Sequence, residues 1–300
     1  MTAPLLILPP VAITEAMLDD TDVPEADYAT WSSAATYGAT DRVIRTHKVW
    51  QSLQAGNLNH TPETSEDWWA EVGPTNRWAL FDRSNSTQTR QANAMSYTLK
   101  PVQGITALWL GNVDGCNTAR VIVTHPTYGT LKDATYNLAS IPAAVGWWEW
   151  TFGERSAPPS LFVQDIPPLP GCTIQVNLTG TTDLAIGVLL LGVMKSVGEG
   201  VLQGARVGIQ DFSRKETNDF GETVLVQRAY ADTASFEVPI RTAQVDAAKA
   251  LLTSLRATPA LWIATRGISA GVVYGFFKEF EITLAYANVA ECSITVEGLT

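Results

Sequence analysis

The chain has 300 residues, with 30 Asp and Glu against 20 Lys and Arg, for a formal net charge of −10 at pH 7. That length supports about two or three domains, and the acidic balance repels phosphate and speaks against a nucleic-acid binder. Charged residues make up 17 % and apolar ones 46 %, the composition of a globular protein that carries little charge. Cys116, Cys172 and Cys292 are odd in number and form no CxxC pair, and His47, His60 and His125 share no helical ligand spacing. No metal site and no cofactor are therefore expected. The three thiols fit a protein made in a reducing cytoplasm.

Taken in chain order, residues 1–27 read as an extended arm. Prolines at 4, 9, 10 and 24 forbid a long helix, and Asp19, Asp20 and Asp22 mark a solvated linker. The opening MTAPLLILPPVAI is apolar but lacks a basic n-region, so no targeting segment is expected. Leu5, Leu6 and Ile7 need a partner surface, on this chain or on a neighbouring subunit, which makes them assembly candidates.

Residues 28–80 form a compact module in which five of the ten tryptophans lie between Trp31 and Trp78. So small a unit has a thin core, and large aromatics supply much of its buried area. Residues 81–197 read as a β-sandwich. Its strands are expected at Ser96–Leu99, Ala107–Leu110, Ala119–Thr124, Trp147–Phe152, Leu161–Val163, Thr173–Leu178 and Leu184–Leu191. The apolar run Leu184–Met194 is too short to cross a bilayer, and no membrane insertion is expected.

Residues 198–300 differ in pattern. Val201–Ile209 and Thr223–Arg228 flank the charged segment Ser213–Gly221, which suggests a long hairpin. A strand is expected at Ala234–Ile240. The spacing of Val245, Ala248, Leu252 and Leu255 predicts a helix over Thr242–Leu255, capped by Thr242 and stopped by Pro259. Strands at Ala260–Thr265, Val272–Leu284 and Glu291–Glu297 follow. The expected fold class is mainly β: a small Trp-rich β module, a β-sandwich, and a C-terminal α+β unit with one helix packed on a sheet.

Few residues carry a pattern for chemistry. Gly267-Ile268-Ser269-Ala270-Gly271 matches G-x-S-x-G, but the following Val272–Phe277 reads as a strand where that motif needs a helix, and no histidine follows His125. Asp211, Glu216, Asp219 and Glu222 alternate with Arg214 and Lys215, as at a solvated hairpin tip. No catalytic residue is assigned and no enzyme is expected. Arg214, Lys215, Glu216 and Asp219 are expected to find ion partners on assembly.

Two resemblances add to this reading. Trp31, Tyr37, Asp41-Arg42-Val43, Val49-Trp50, Gly56-Asn57, Pro62 and Trp68 resemble the small chitin- and cellulose-binding modules of bacterial glycosidases over about forty residues. Thr40 stands where that family has Gly, and the family's exposed aromatic pair would fall at Leu53-Gln54. The resemblance makes Trp50, Trp68 and Trp69 candidates for stacking on sugar rings. The run Gly73–Asp82, the segment Asp211–Glu216 with Phe220-Gly221, and the ending Tyr274–Lys278 through Glu297–Thr300 resemble tail-region proteins of phages and prophages. That resemblance covers nearly the whole chain. It implies a virion structural protein of the tail tip or baseplate, a distal-tail-type ring protein or fibre adaptor, synthesised in the bacterial host cytoplasm. Its partners would be other tail proteins and further copies of itself. The alternative is a receptor-binding protein that recognises a host surface glycan through the Trp-rich module.

Overall fold

A computed structural model describes residues 4–139, 147, 159–202, 204–217, 223–264, 271–284 and 286–299. Strands account for 54 % of the chain and helix for 9 %, so the fold is mainly β, as the alternating apolar pattern indicates. In chain order the strands are β1 (Leu5–Leu8), β2 (Leu18–Thr21), β3 (Thr36–Tyr37), β4 (Arg42–Arg45), β5 (Lys48–Ser52), β6 (Asn57–Leu58), β7 (Trp69–Pro74), β8 (Thr89–Arg90), β9 (Ala94–Leu99) and β10 (Ala107–His125). They continue with β11 (Gly129–Asn137), β12 (Ser160–Val163), β13 (Thr173–Gly192), β14 (Lys195–Val197), β15 (Arg206–Asp211), β16 (Arg214–Thr217), β17 (Thr223–Val226), β18 (Tyr230–Arg241), β19 (Ala260–Ile263), β20 (Val272–Thr283) and β21 (Val289–Gly298). The helix α1 spans Val245–Ser254.

Contacts divide the chain into two units. The first holds residues 1–11, 105–107 and 191–300. Its sheet has seven strands in the order β14-β1-β19-β20-β21-β18-β15. β1 pairs antiparallel with β14 on one side and β19 on the other, with Leu6 opposite Ser196 and Ile7 opposite Trp262. All four residues of β1 are buried. Leu5 and Ile7 join Val197, Phe236, Val238 and Trp262 in the core, and α1 lays Ala248, Leu252 and Leu255 onto it. The predicted helical face is therefore the buried one. Thr242 does not cap it: the helix grows from a 3-10 turn, Thr242–Gln244, without a side-chain cap, and the Thr242 hydroxyl donates to the Ala287 carbonyl at 3.2 Å.

The expected arm is thus not a separate element. β1 completes the C-terminal sheet, so Leu5, Leu6 and Ile7 are core residues of this chain and not a surface awaiting a neighbour. The expected boundary at 197/198 also moves, because β14 belongs to the same sheet and the units change over at residues 190/191.

The second unit holds residues 12–104 and 108–190. Its main sheet runs β11-β10-β13-β9-β2, with β12 beside β10 and β8 beside β13. The expected strands of a sandwich are fewer and longer: β10 covers two of them, β13 another two, and hydrogen bonds join all of it into one sheet. The polar segments that suggested turns lie inside strands. Gly115 has a positive φ of 63°, and a Cβ on Gly180 would sit 2.1 Å from the Gly115 carbonyl oxygen. Glycine at both positions lets the two long strands touch backbone to backbone. β11 replaces a segment that carried no strand signal. Of the expected strand Trp147–Phe152, Trp147 is helical and residues 148–152 lie outside the described residues.

Ile7→Ala removes a fully buried side chain from the central sheet, and it is expected to cost about 2–5 kcal/mol of stability. Urea denaturation of the full chain checks this; a loss below about 0.5 kcal/mol would contradict the central placement of β1.

Candidate functional site

The Trp-rich module is built on the β4-β5-β7 sheet. β4 and β5 are joined by the two-residue turn Thr46-His47, with Arg45 opposite Lys48 and both turn residues at positive φ, 47° and 63°. Such turns match strand twist but favour Asn-Gly. Here side-chain contacts hold a strained turn in place. The Thr46 hydroxyl donates to Glu63 Oε1 at 2.8 Å, and His47 Nδ1 lies 3.0 Å from Glu25 Oε1. The His47 ring stacks on Trp78 at 4.3 Å.

The module core is Val43, Trp50 and Trp69, with Trp31, Tyr37 and Trp68 packed against it. Trp50 is 8 % exposed and donates Nε1–H to the Arg45 carbonyl at 3.3 Å. Trp69 is 2 % exposed, donates to the His60 carbonyl at 2.9 Å and meets Tyr37 edge to face at 5.2 Å. A sugar-stacking residue must offer an open ring face, so the expected roles of Trp50 and Trp69 are corrected: both fill the core of a unit too small to do without them. Trp68 is half-buried in the turn before β7 and lies flat on His60, with ring centres 4.0 Å apart and planes 9° apart. Of the three candidates it alone retains partial exposure. Where the sugar-binding modules carry their aromatic pair, this chain presents Leu53, half exposed, and Gln54. The Arg45 guanidinium covers the Trp31 ring at 4.4 Å and pairs with Glu63 at 2.8 Å.

The run Gly73–Asp82 ties the module to the main sheet of its unit. Thr75 donates its hydroxyl to Glu25 Oε1 at 2.8 Å, and Arg77 Nε donates to the Val23 carbonyl at 2.7 Å. The Tyr97 hydroxyl donates to the Arg77 carbonyl at 2.9 Å. Burial raises the Tyr97 phenol well above its ordinary range, which keeps it a neutral donor.

The first unit carries a different candidate. β15 pairs with β18, β16 pairs with β17, and the Phe212 N–H donates to the Ala229 carbonyl at 3.3 Å between the two pairs. Together they make the long hairpin anticipated from the sequence. Where β15 passes into β16 the charges are paired: Arg214 with Glu216 at 2.5 Å, and Lys215 with Asp211 at 2.8 Å. Hydrogen bonds from Lys215, then Ser213, hold the Asp211 carboxyl well below the usual carboxylate range. The ion partners expected on assembly therefore lie, for Arg214, Lys215 and Glu216, within the ribbon itself. Asp219 lies outside the described residues.

What the ribbon leaves open is apolar. Val207, Ile209, Phe212, Val224, Leu225, Val226 and Tyr230 are all exposed. Sequence reasoning passed over them in favour of the charges. The alternation in Arg206–Gln210, at the edge of the seven-stranded sheet, and the run Val224–Val226, in the two-stranded β16–β17 pair, are the available signals.

Among the described residues no group of three or more His, Cys, Asp or Glu is placed to hold a metal ion. No described helix is long and apolar enough to cross a membrane. Comparison with protein-family models, with curated proteins and with solved structures finds no match for this chain.

Two outcomes follow from this geometry. Trp69→Ala is expected to cost about 3–5 kcal/mol, whereas Trp68→Ala, at a half-buried position, is expected to cost less; paired denaturation curves check the order. In carboxyl-detected NMR the Asp211 titration is expected to have its midpoint below the ordinary 3.8 and to return toward it in Lys215→Ala. Because its folded-state pKa is depressed, the stabilisation from this group is present above the ordinary carboxylate value and fades as pH falls through the lowered one.

Proposed function

We propose that this chain is a structural protein of a tailed-phage virion, placed at the tail tip or baseplate as a ring protein or fibre adaptor, and that it acts by assembly. The observation that carries the reading is the β15–β18 ribbon, which holds Asp211, Arg214, Lys215 and Glu216 in internal pairs and leaves seven large apolar side chains in solvent. Its outer part, β16–β17, is a two-stranded sheet, a form marginal in water by itself, and open apolar patches of this kind suit contact with other proteins. The tail-protein resemblance in Asp211–Glu216 falls on the same ribbon. Its partners are then other tail proteins and copies of itself, met after synthesis in the host cytoplasm.

An enzymatic role has little to support it. The connection carrying Ser269 joins β19 to β20, which pair antiparallel, so a strand and not a helix follows Gly271. The nucleophile elbow needs a helix there. Residues 265–270 themselves lie outside the described residues.

Glycan recognition through the module is the second reading, and it rests on Trp68 and His60. A flat, half-exposed stack can take one pyranose face. Weak single-site binding would gain strength from many copies on one particle.

A reconstruction of intact particles tests the first reading directly. Density for this chain at the tail tip or baseplate is expected; absence of the chain from purified virions would refute it. For the second, the intact protein is titrated with chitin fragments and host polysaccharide beside Trp68→Ala. Saturable binding lost in the variant supports glycan recognition, and no saturable binding ends it.

A further inference from the structure

We propose that the outer edge of β15 is a homotypic interface, at which two copies of this chain pair antiparallel about a two-fold axis through Gly208. The inference rests on the assembly reading above and names one of its partners.

The first support is the condition of the edge. An open edge strand offers a row of unpaired N–H and C=O groups, and proteins guard such edges with charge, proline or bulges. Most other described edges of the two large sheets carry charge: β14 carries Lys195, β2 carries Asp19 and Asp20, β11 carries Lys132 and Asp133, and β8 carries Arg90, whereas β12, Ser160–Val163, carries none. β15 has charge only at its ends, Arg206 and Asp211, and it pairs with β18 without a register shift. Its interior, Val207-Gly208-Ile209-Gln210, contains no guard.

The second support is the face. Val207 sits opposite Ala234, and Ala234 and Phe236 belong to the core. Directly opposed residues share a face, and so do residues two apart, so Val207 and Ile209 continue the core side of the sheet. There the core runs out: Val207 is 53 % exposed and Ile209 62 %. They border a shallow cavity of about 230 Å³, which Val272 and Val273 also line. Among the described residues no further strand follows β15 on this side.

The third support selects a second copy over an unrelated partner. Arg206-Val207-Gly208-Ile209-Gln210 is palindromic in chemistry: polar, apolar, glycine, apolar, polar. A two-fold axis normal to the sheet at Gly208 sets Gly208 against Gly208 and each Val207 against the other copy's Ile209. Each Arg206 then faces the other copy's Gln210. Apolar residues meet on the core side, polar ones on the other, and nothing crowds the axis. A strand from a different protein would require no such symmetry. The contact is isologous and closes on itself, so in a virion it would join two subunits or two rings rather than extend a chain of contacts.

The test uses the full chain. Sedimentation velocity over a range of concentrations is expected to show a monomer–dimer equilibrium. Ile209→Lys should raise the dimer dissociation constant at least about tenfold, as for a residue near the centre of an interface. The side chain is exposed, so circular dichroism should confirm an unchanged fold. Gly208→Cys should form an intermolecular disulfide under mild oxidation. The native thiols are buried, with those of Cys116 and Cys292 pushed up to about 11, which keeps the background low. Arg206→Cys alone should not link, but should link when mixed with Gln210→Cys. A monomer at every concentration overturns the interface, as does self-association that Ile209→Lys leaves intact or a head-to-tail oligomer in which Gly208→Cys fails to link. A chain found in virions but monomeric alone refutes this interface and leaves the assembly reading standing. A dimer linked through Gly208→Cys whose chain is missing from virions does the reverse.

Discussion

The C-terminal sheet depends on a strand from the opposite end of the chain. β1 lies between β14 and β19 with both backbone edges paired and every side chain buried. A strand in that position cannot be half-formed, because each unpaired buried amide or carbonyl costs the free energy of a lost hydrogen bond. Removing it would strip β19 of its partner on one side and leave Trp262 and Phe236 without Leu5 and Ile7 in the same core. The unit that reads as a self-contained C-terminal domain is therefore closed by residues almost two hundred positions earlier. Pro9 and Pro10 follow at once, at the point where pairing stops and a missing N–H does no harm.

The same constraint explains what was legible in the sequence. Local patterns came through: the helical face of Val245, Ala248, Leu252 and Leu255, the hairpin around Ser213–Gly221, and the mainly β character. Each depends on residues a few positions apart. The placement of Leu5–Leu8 depends on pairing across the whole chain, and a short apolar segment cannot announce its partner. β10 and β13 were each read as two strands because glycine and asparagine usually end a strand. Here Gly115 and Gly180 serve a close approach between backbones, which has no local signature. Thr242 had the composition of a cap, but the Ala287 carbonyl competes for its hydroxyl.

The module spends its aromatic residues on its own core. Val43, Trp50 and Trp69 form its core, with Trp31, Tyr37 and Trp68 packed against them. The position that would carry an aromatic platform holds Leu53 and Gln54. New contacts appear instead at the Thr46-His47 turn and along Thr75–Arg77, where Glu25 gathers His47 and Thr75 within hydrogen-bonding distance. A turn with two non-glycine residues at positive φ carries backbone strain, and the contacts that offset it also fix the module to the strand-rich part of its unit. The run Gly73–Asp82 fastens the Trp-rich segment to the rest of its unit through Thr75 and Arg77.

Edges and faces complete the picture. A mainly β protein must dispose of every strand edge, and most edges here carry charged residues. The uncharged interior of β15 coincides with the largest set of exposed apolar side chains and with a sequence that mirrors itself about a glycine. Charge on the same hairpin is neutralised locally, by Lys215 on Asp211 and Glu216 on Arg214, so it does little to repel an incoming strand. In a monomer this combination would be a liability, since nothing prevents edge-to-edge addition. In an assembling protein it is a means of association, provided the contact closes. A two-fold contact does close: each edge is consumed by the other, and growth stops at the pair. On the proposed pairing, the uncharged interior of β15 is what the two-fold contact needs, since a charge there would face its counterpart across the axis.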